Sequence, residues 1–190
     1  MSAKVKGRTL LDTLASIRER VGEAAFQSLV GSLEPAVREP LREVLASQWY
    51  PLDVMTGLLN AEIRAFDGGD AGVLVGRAEA VVEKQLRGIY RIFIRLGSPE
   101  WIVKRIAAIH QAYFQGIDVG HEILEANRAR VTYTGFESQH AILANVIVGF
   151  YRKALQLSGA ADVRVHFQKP IGASDGKAVL LVSWVMDRRP

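Results

Sequence analysis

The sequence predicts an α+β domain: an N-terminal helical layer packed on a four-stranded antiparallel sheet, with a buried central helix. Three observations predict it. Helical periodicity runs through most of the chain as far as Gly116. Two separate stretches after it read as pairs of strands. Between those pairs lies a segment, Ala141 to Tyr151, that is apolar nearly all round. The order helices, hairpin, helix, hairpin is that of an α+β fold.

The helical part reads as follows. Thr9 is placed to cap a first helix carrying Leu10, Leu14, Ile17 and Val21, and Gly22 stops it. A short helix follows from about Glu23 to Val30. Glu34-Pro35 opens another, with Val37, Leu41, Val44 and Leu45. Trp49-Tyr50-Pro51 then marks a helix break, since proline disfavours helix at the residue before it. Leu52 to Phe66 resumes the helical pattern, and Asp67-Gly68-Gly69-Asp70 is a loop. Ala71 to about Leu96 reads as a longer helix ended by Gly97. Ser98-Pro99-Glu100 is a strong helix start, with serine at the cap, proline at the first position and a carboxylate in the first turn. One stripe of that helix carries Ile102, Ile106, Ile109 and Tyr113. A second carries Val103, Ala107, His110 and Phe114.

The strand part comes next. Val119 to Leu124 and Arg130 to Phe136 form a predicted hairpin around Glu125-Ala126-Asn127. Ser138 starts the central helix and Gly159 closes it. Val163, Val165 and Phe167 alternate with Arg164, His166 and Gln168, the period of a half-buried strand. Ala178 to Val185 is apolar on both faces, so it is expected in the middle of the sheet.

Bulk properties narrow the function classes. The 190 residues suffice for one substantial core, and nothing in the chain reads as a linker, so a single domain over residues 1–190 is expected. Hydrophobic residues at 49% and charged residues at 23% describe a folded chain. With no cysteine, disulfides, thiolate metal sites and cysteine nucleophiles are excluded. The net charge of +4 is spread along the chain rather than gathered among aromatics, so no nucleic-acid partner is expected. No apolar run reaches the length of a membrane span, and the N-terminus lacks a signal-peptide core, so a cytoplasmic location is expected.

Several motifs, in their order, carry a resemblance. They are Val5-Lys6-Gly7, Arg20-Val21-Gly22-Glu23, Trp49-Tyr50-Pro51, Gly68-Gly69-Asp70, Leu86 to Arg91, Ser98-Pro99-Glu100, Tyr113-Phe114-Gln115-Gly116, and Gly149-Phe150-Tyr151 with Leu155. The chain resembles a family of uncharacterised bacterial proteins that occurs as many paralogues, notably in myxobacteria. That family is similar to a superfamily of heme nitric-oxide-binding domains, 4-vinyl-reductase-type ligand-binding domains and Bet3-like subunits of the TRAPP tethering complex. The resemblance implies helices against a four-stranded antiparallel sheet and an apolar interior that holds a small molecule or acyl chain. Two departures follow. The stretch Gln168 to Val179 lacks the cysteines of the vinyl-reductase type. The heme domains hold propionates with a Tyr-x-Ser-x-Arg motif, whereas Tyr133 is followed at those spacings by Gly135 and Glu137. Glutamate in place of arginine repels a carboxylate, so no cofactor is expected and heme is disfavoured.

The four histidines, His110, His121, His140 and His166, show no metal-ligand spacing, and no metal is expected. There is no nucleophile elbow, no phosphate loop and no paired acid–base carboxylates, so no enzyme is expected. His110 is read as a core-edge histidine with a pocket-facing alternative. The candidate pocket residues are Trp49, Tyr90, Phe93, His110, Tyr113, Phe114 and Phe150. The leading expectation is a non-enzymatic sensor or binding module for a small apolar molecule or acyl chain, coupled to a partner protein or a second copy. The alternatives are a dimerising scaffold with a filled core and a heme-based gas sensor using His110.

Overall fold

A computed structural model describes residues 2–86 and 98–186. The chain packs as two compact units, Met1–Ala71 with Gln111–Ile117, and Gly72–His110 with Asp118–Pro190.

The first unit contains helices α1 (Gly7–Val21), α2 (Glu23–Ser32), α3 (Pro35–Arg38) and α4 (Leu52–Phe66). It also holds a small sheet of β1 (Lys4–Lys6), β2 (Trp49–Pro51) and β3 (Phe114–Gln115), ordered β2-β1-β3. Trp49-Tyr50-Pro51, read above as a helix break, is thus an edge strand, with Tyr50 paired to Val5 and Val5 to Phe114. Strands of two or three residues are too short to show a period. The first helix starts at Gly7 rather than after a Thr9 cap. Its first N–H groups are satisfied by the loop before β2: Gly7 donates to the Gln48 carbonyl at 2.8 Å and Arg8 to that of Ala46 at 3.1 Å. Glycine permits this approach, because a Cβ there would stand 2.1 Å from the Leu45 carbonyl oxygen. The Tyr50 hydroxyl ties the same loop, accepting the Leu45 N–H at 2.8 Å.

Leu10 and Ile17 of α1 and Leu52, Leu58, Leu59 and Ile63 of α4 are core residues of this unit. Among them sits Glu62, only 2% exposed, in an ion pair with Arg20. Arg20 also lies over the Phe66 ring, 5.8 Å from its centroid. A buried carboxylate that loses its cation is costly. Because the Arg20 side chain is one-third exposed, solvent screening brings the cost below the roughly 3–5 kcal/mol of a fully buried pair. Arg20→Ala is expected to lower stability by about 2–3 kcal/mol. Denaturant unfolding measures it, and a loss below about 0.5 kcal/mol, the range of surface changes, would contradict it.

The second unit contains α5 (Val73–Leu86), most of α6 (Pro99–Tyr113) and α7 (Leu143–Leu157). Its sheet is made of β4 (Asp118–Glu125), β5 (Arg128–Thr134), β6 (Ala160–Lys169) and β7 (Lys177–Met186). All four strands are antiparallel, in the order β4-β5-β7-β6. This is the expected arrangement, two hairpins joined by a helix, and the doubly apolar β7 lies centrally. Asn127 turns the first hairpin with a φ of 65°, a value asparagine tolerates.

The Ser98-Pro99 start of α6 is formed as read, with the Ser98 hydroxyl accepting the Trp101 N–H at 3.2 Å. On α6, Ile102, Val103 and His110 are buried, whereas Ile109 and Tyr113 are 37% and 41% exposed. The first stripe therefore leaves the core towards the C-terminal end. The helix expected from Ser138 opens as a 3₁₀ turn over Ser138–His140, with α7 proper beginning at Leu143. Glu137 and His140 cap that turn reciprocally, the His140 Nδ1 accepting the Glu137 N–H at 3.0 Å.

Helix α7 is the central helix, and only Gln156 in it is exposed. It packs against α5, with ion pairs Arg152–Glu79 at 3.2 Å and Lys153–Glu83 at 2.7 Å beside the contact. At the crossing stands Gly149, where a Cβ would meet the Val75 carbonyl oxygen at 2.2 Å and the Ala78 Cβ at 2.9 Å. Gly149→Ala is expected to destabilise the protein by about 1–2 kcal/mol, because overpacking against backbone outweighs the helix-propensity gain of about 1 kcal/mol. Gly76→Ala in α5, where a Cβ meets nothing within 4 Å, is expected to stabilise by up to about 1 kcal/mol. Thermal unfolding of the two variants should move in opposite directions; a shared direction would show that the crossing is not tight.

Candidate functional site

The inner face of the four-stranded sheet is set by the two-residue period. On β5, Ala129, Val131 and Tyr133 point inward and are fully buried. They stand opposite Val182, Leu180 and Ala178 of β7. Ala178 has the smallest side chain of these partners and leaves room for the phenol of Tyr133. On α7, Leu143, Ile147, Tyr151 and Leu155 repeat every four residues, and all are buried. From α6 comes His110, 7% exposed.

These three elements bring together a polar trio. The Tyr133 and Tyr151 hydroxyls are 3.2 Å apart, and the Tyr133 hydroxyl is 3.4 Å from His110 Nε2. Aromatic rings surround them. His110 meets Tyr133 edge-on at 5.3 Å and Phe150 at 6.5 Å. Phe136 and Phe167 flank Tyr133 at 5.7 and 6.4 Å, and Phe150 meets Tyr151 at 6.0 Å. Two proton arrangements satisfy the chain of contacts. Either His110 donates to Tyr133 and Tyr133 to Tyr151, or Tyr151 donates to Tyr133 and Tyr133 to His110.

All three groups are uncharged at neutral pH. Burial pushes the His110 imidazole down to about 4. Burial pushes the Tyr133 hydroxyl above its usual range, and the hydrogen bond with Tyr151 opposes that only in part. Burial raises Tyr151 as well, and the neighbouring Tyr133 raises it further. A histidine this hard to protonate is a weak general base at neutral pH. The trio is suited to exchanging hydrogen bonds with an uncharged polar group. Among the described residues no cluster of three or more histidine, aspartate or glutamate side chains could hold a metal ion. No helix of the described residues is long and apolar enough to cross a membrane.

Of the residues singled out from sequence, His110 and Phe150 meet in this cluster. Trp49 and Phe114 belong to the first unit, half-buried on β2 and β3, and the Lys6 ammonium lies 4.5 Å over the Trp49 ring. Tyr113 is exposed at the end of α6. Tyr90 and Phe93 lie outside the described residues. Sequence reasoning missed Tyr133 and Tyr151 as members of a site. A signal was present, since each occupies a core-facing position of its element and a buried tyrosine hydroxyl needs a partner.

Because His110 is neutral when folded and has an ordinary pKa near 6.5 when unfolded, only the unfolded chain gains a proton between those values. The stabilising effect of keeping it neutral is complete above pH 6.5 and is lost as pH falls towards 4, by about 3 kcal/mol in all. His110→Gln should therefore flatten the stability profile between pH 6.5 and 4 relative to the wild type. Parallel profiles in urea titrations would show that His110 is not held neutral.

No protein-family model matches the sequence, and no curated protein matches it. Solved structures do. An Fe(II) unliganded H-NOX protein from K. algicida matches with a TM-score of 0.74 at 14% identity, over 97% of this chain and 99% of that one. An H-NOX protein from S. oneidensis in the Fe(II)NO state matches with a TM-score of 0.71 at 10% identity, over 95% and 99%. An oxygen-binding H-NOX domain related to soluble guanylate cyclases matches with a TM-score of 0.66 at 10% identity, over 97% and 98%. At such identities the likeness is one of fold, and this chain has an H-NOX-like α+β fold.

Proposed function

We propose that the chain is a non-enzymatic sensing module that holds a small molecule within its second unit and reports the occupancy to a partner protein or a second copy. The observation that carries this reading is the uncharged trio of His110, Tyr133 and Tyr151, buried together under aromatic rings. A fully packed structural core gains little from two tyrosine hydroxyls and an imidazole at its centre, because each must be desolvated. A binding site gains specificity from them, since a few convergent polar groups in an apolar setting orient a ligand. The H-NOX-like fold supports the same role, because the similar solved structures include an H-NOX protein in an Fe(II)NO state and an oxygen-binding H-NOX domain. The order of motifs supports membership of the paralogous bacterial family noted above.

A second reading is a heme-based gas sensor in which His110 would face the iron. Its imidazole is buried and neutral, the form that donates to iron.

Native mass spectrometry of the purified chain tests the sensing role. The expected result is an added mass of a small molecule, retained under gentle ionisation and lost on unfolding. Tyr151→Phe, which removes one hydroxyl and leaves the ring, should weaken retention of that mass about five- to tenfold, the worth of one hydrogen bond. A chain that carries no added mass after purification and after exposure to cell extract would favour the scaffold reading instead.

A further inference from the structure

Given the sensing role proposed for the second unit, we infer that its interior excludes an iron porphyrin, and that His110 serves as a hydrogen-bonding member of a His110–Tyr133–Tyr151 relay rather than as a metal ligand. The first reason is occupancy of the coordination position. A metal on an imidazole nitrogen sits about 2 Å away, in the ring plane and along the direction a hydrogen bond would take. The Tyr133 hydroxyl stands 3.4 Å from Nε2, within hydrogen-bond reach. An iron on Nε2 would have to compete with this oxygen for the space beside the nitrogen.

The second reason is that Tyr133 has nowhere to go. It is 0% exposed, Tyr151 holds its hydroxyl at 3.2 Å, and Phe136 and Phe167 pack its ring. Its backbone is paired on both sides, to Val119 of β4 and Ala178 of β7. Moving the phenol aside would strip a hydrogen bond from Tyr151 and break close packing in the middle of the sheet.

The third reason is charge. Heme brings two propionates, which need cations or several N–H donors. The segment after Tyr133 runs through Gly135, with a φ of 96°, into Phe136 and Glu137. Glu137 is itself an anion, and its carboxylate already accepts the His140 N–H and a hydrogen bond from Gln139 at 2.8 Å. Phe136 is buried beside Tyr133 and Glu137 is exposed, so this turn offers a propionate an aromatic ring and an anion rather than a cation. The ligand this interior accepts is an uncharged molecule with a group that exchanges hydrogen bonds with the relay.

The test uses the full chain with hemin as the probe. Hemin is titrated into the wild type and into His110→Gln, and the Soret region is recorded in the ferric and ferrous states. Neither protein is expected to develop a stoichiometric Soret band, and a stoichiometric band that His110→Gln retains would overturn the exclusion of porphyrin, whereas loss of a true axial ligand costs about tenfold or more in bound heme. A stoichiometric band in the wild type that His110→Gln loses would overturn the inference, while leaving the sensing role standing. Nitrogen-15 NMR of histidine-labelled protein supplies a readout that does not depend on heme. The His110 ring should stay neutral below pH 6, and its Nε2 signal should shift in Tyr133→Phe. An Nε2 signal that does not respond to Tyr133→Phe would equally overturn the relay. A chain with no His110-dependent heme band, a responsive Nε2 and no bound mass would sink the sensing role alone.

Discussion

A polar atom withdrawn from water must be paired inside the protein, and that constraint organises the second unit. Three elements distant in sequence each deliver one such group to the same place: α6 brings His110, β5 brings Tyr133 and α7 brings Tyr151. Each group alone would cost a few kcal/mol of desolvation at full burial. Together the two hydroxyls and His110 Nε2 pair with one another, but only if helix, strand and sheet are held in one register. A slip of β5 by one residue would send Tyr133 to the opposite face and leave Tyr151 without it. The trio therefore specifies the packing as well as depending on it.

Close packing is secured by small residues where large ones would not fit. Gly149 lets α7 lie on the backbone of α5, and Ala178 gives the Tyr133 ring its place on β7. In the first unit Gly7 plays the corresponding part, letting the carbonyls before β2 cap the first helix. Around these contacts the ion pairs Arg152–Glu79 and Lys153–Glu83 are partly solvated and contribute modestly. Burial of Leu143, Ile147 and Leu155 with the inner faces of β5 and β7 supplies the larger part.

The chain thus combines an H-NOX-like fold with an interior chemistry of its own. Neutral groups line the centre, and the imidazole faces a tyrosine hydroxyl instead of open space. In the sensing role proposed for this unit, such an arrangement would respond through the making and breaking of hydrogen bonds. Any ligand that competes for the Tyr133 hydroxyl would act on β5, α6 and α7 at once, which gives a small binding event a route to the surface of the unit. Fold likeness and ligand chemistry are separate matters here, because the fold is set by apolar periodicity and the ligand by a handful of side chains.

The long elements were legible in the sequence because their signals are local. The period of two in β6, the Ser98-Pro99 start of α6 and the unbroken apolar helix α7 each need only neighbours in the chain to be read. His110 stood out for the same reason, as an imidazole on an apolar stripe, and Phe150 as one of the aromatics able to line a pocket. What only the tertiary structure decided depends on partners far apart in the chain. The β2-β1-β3 sheet joins segments too short to carry a period, and α1 begins at Gly7 because carbonyls some forty residues later reach it. Likewise Tyr133 and Tyr151 read as ordinary core positions in their own elements. Their role as partners of His110 exists only where three elements meet, since a hydrogen bond is set by distance in space and leaves no pattern along the chain.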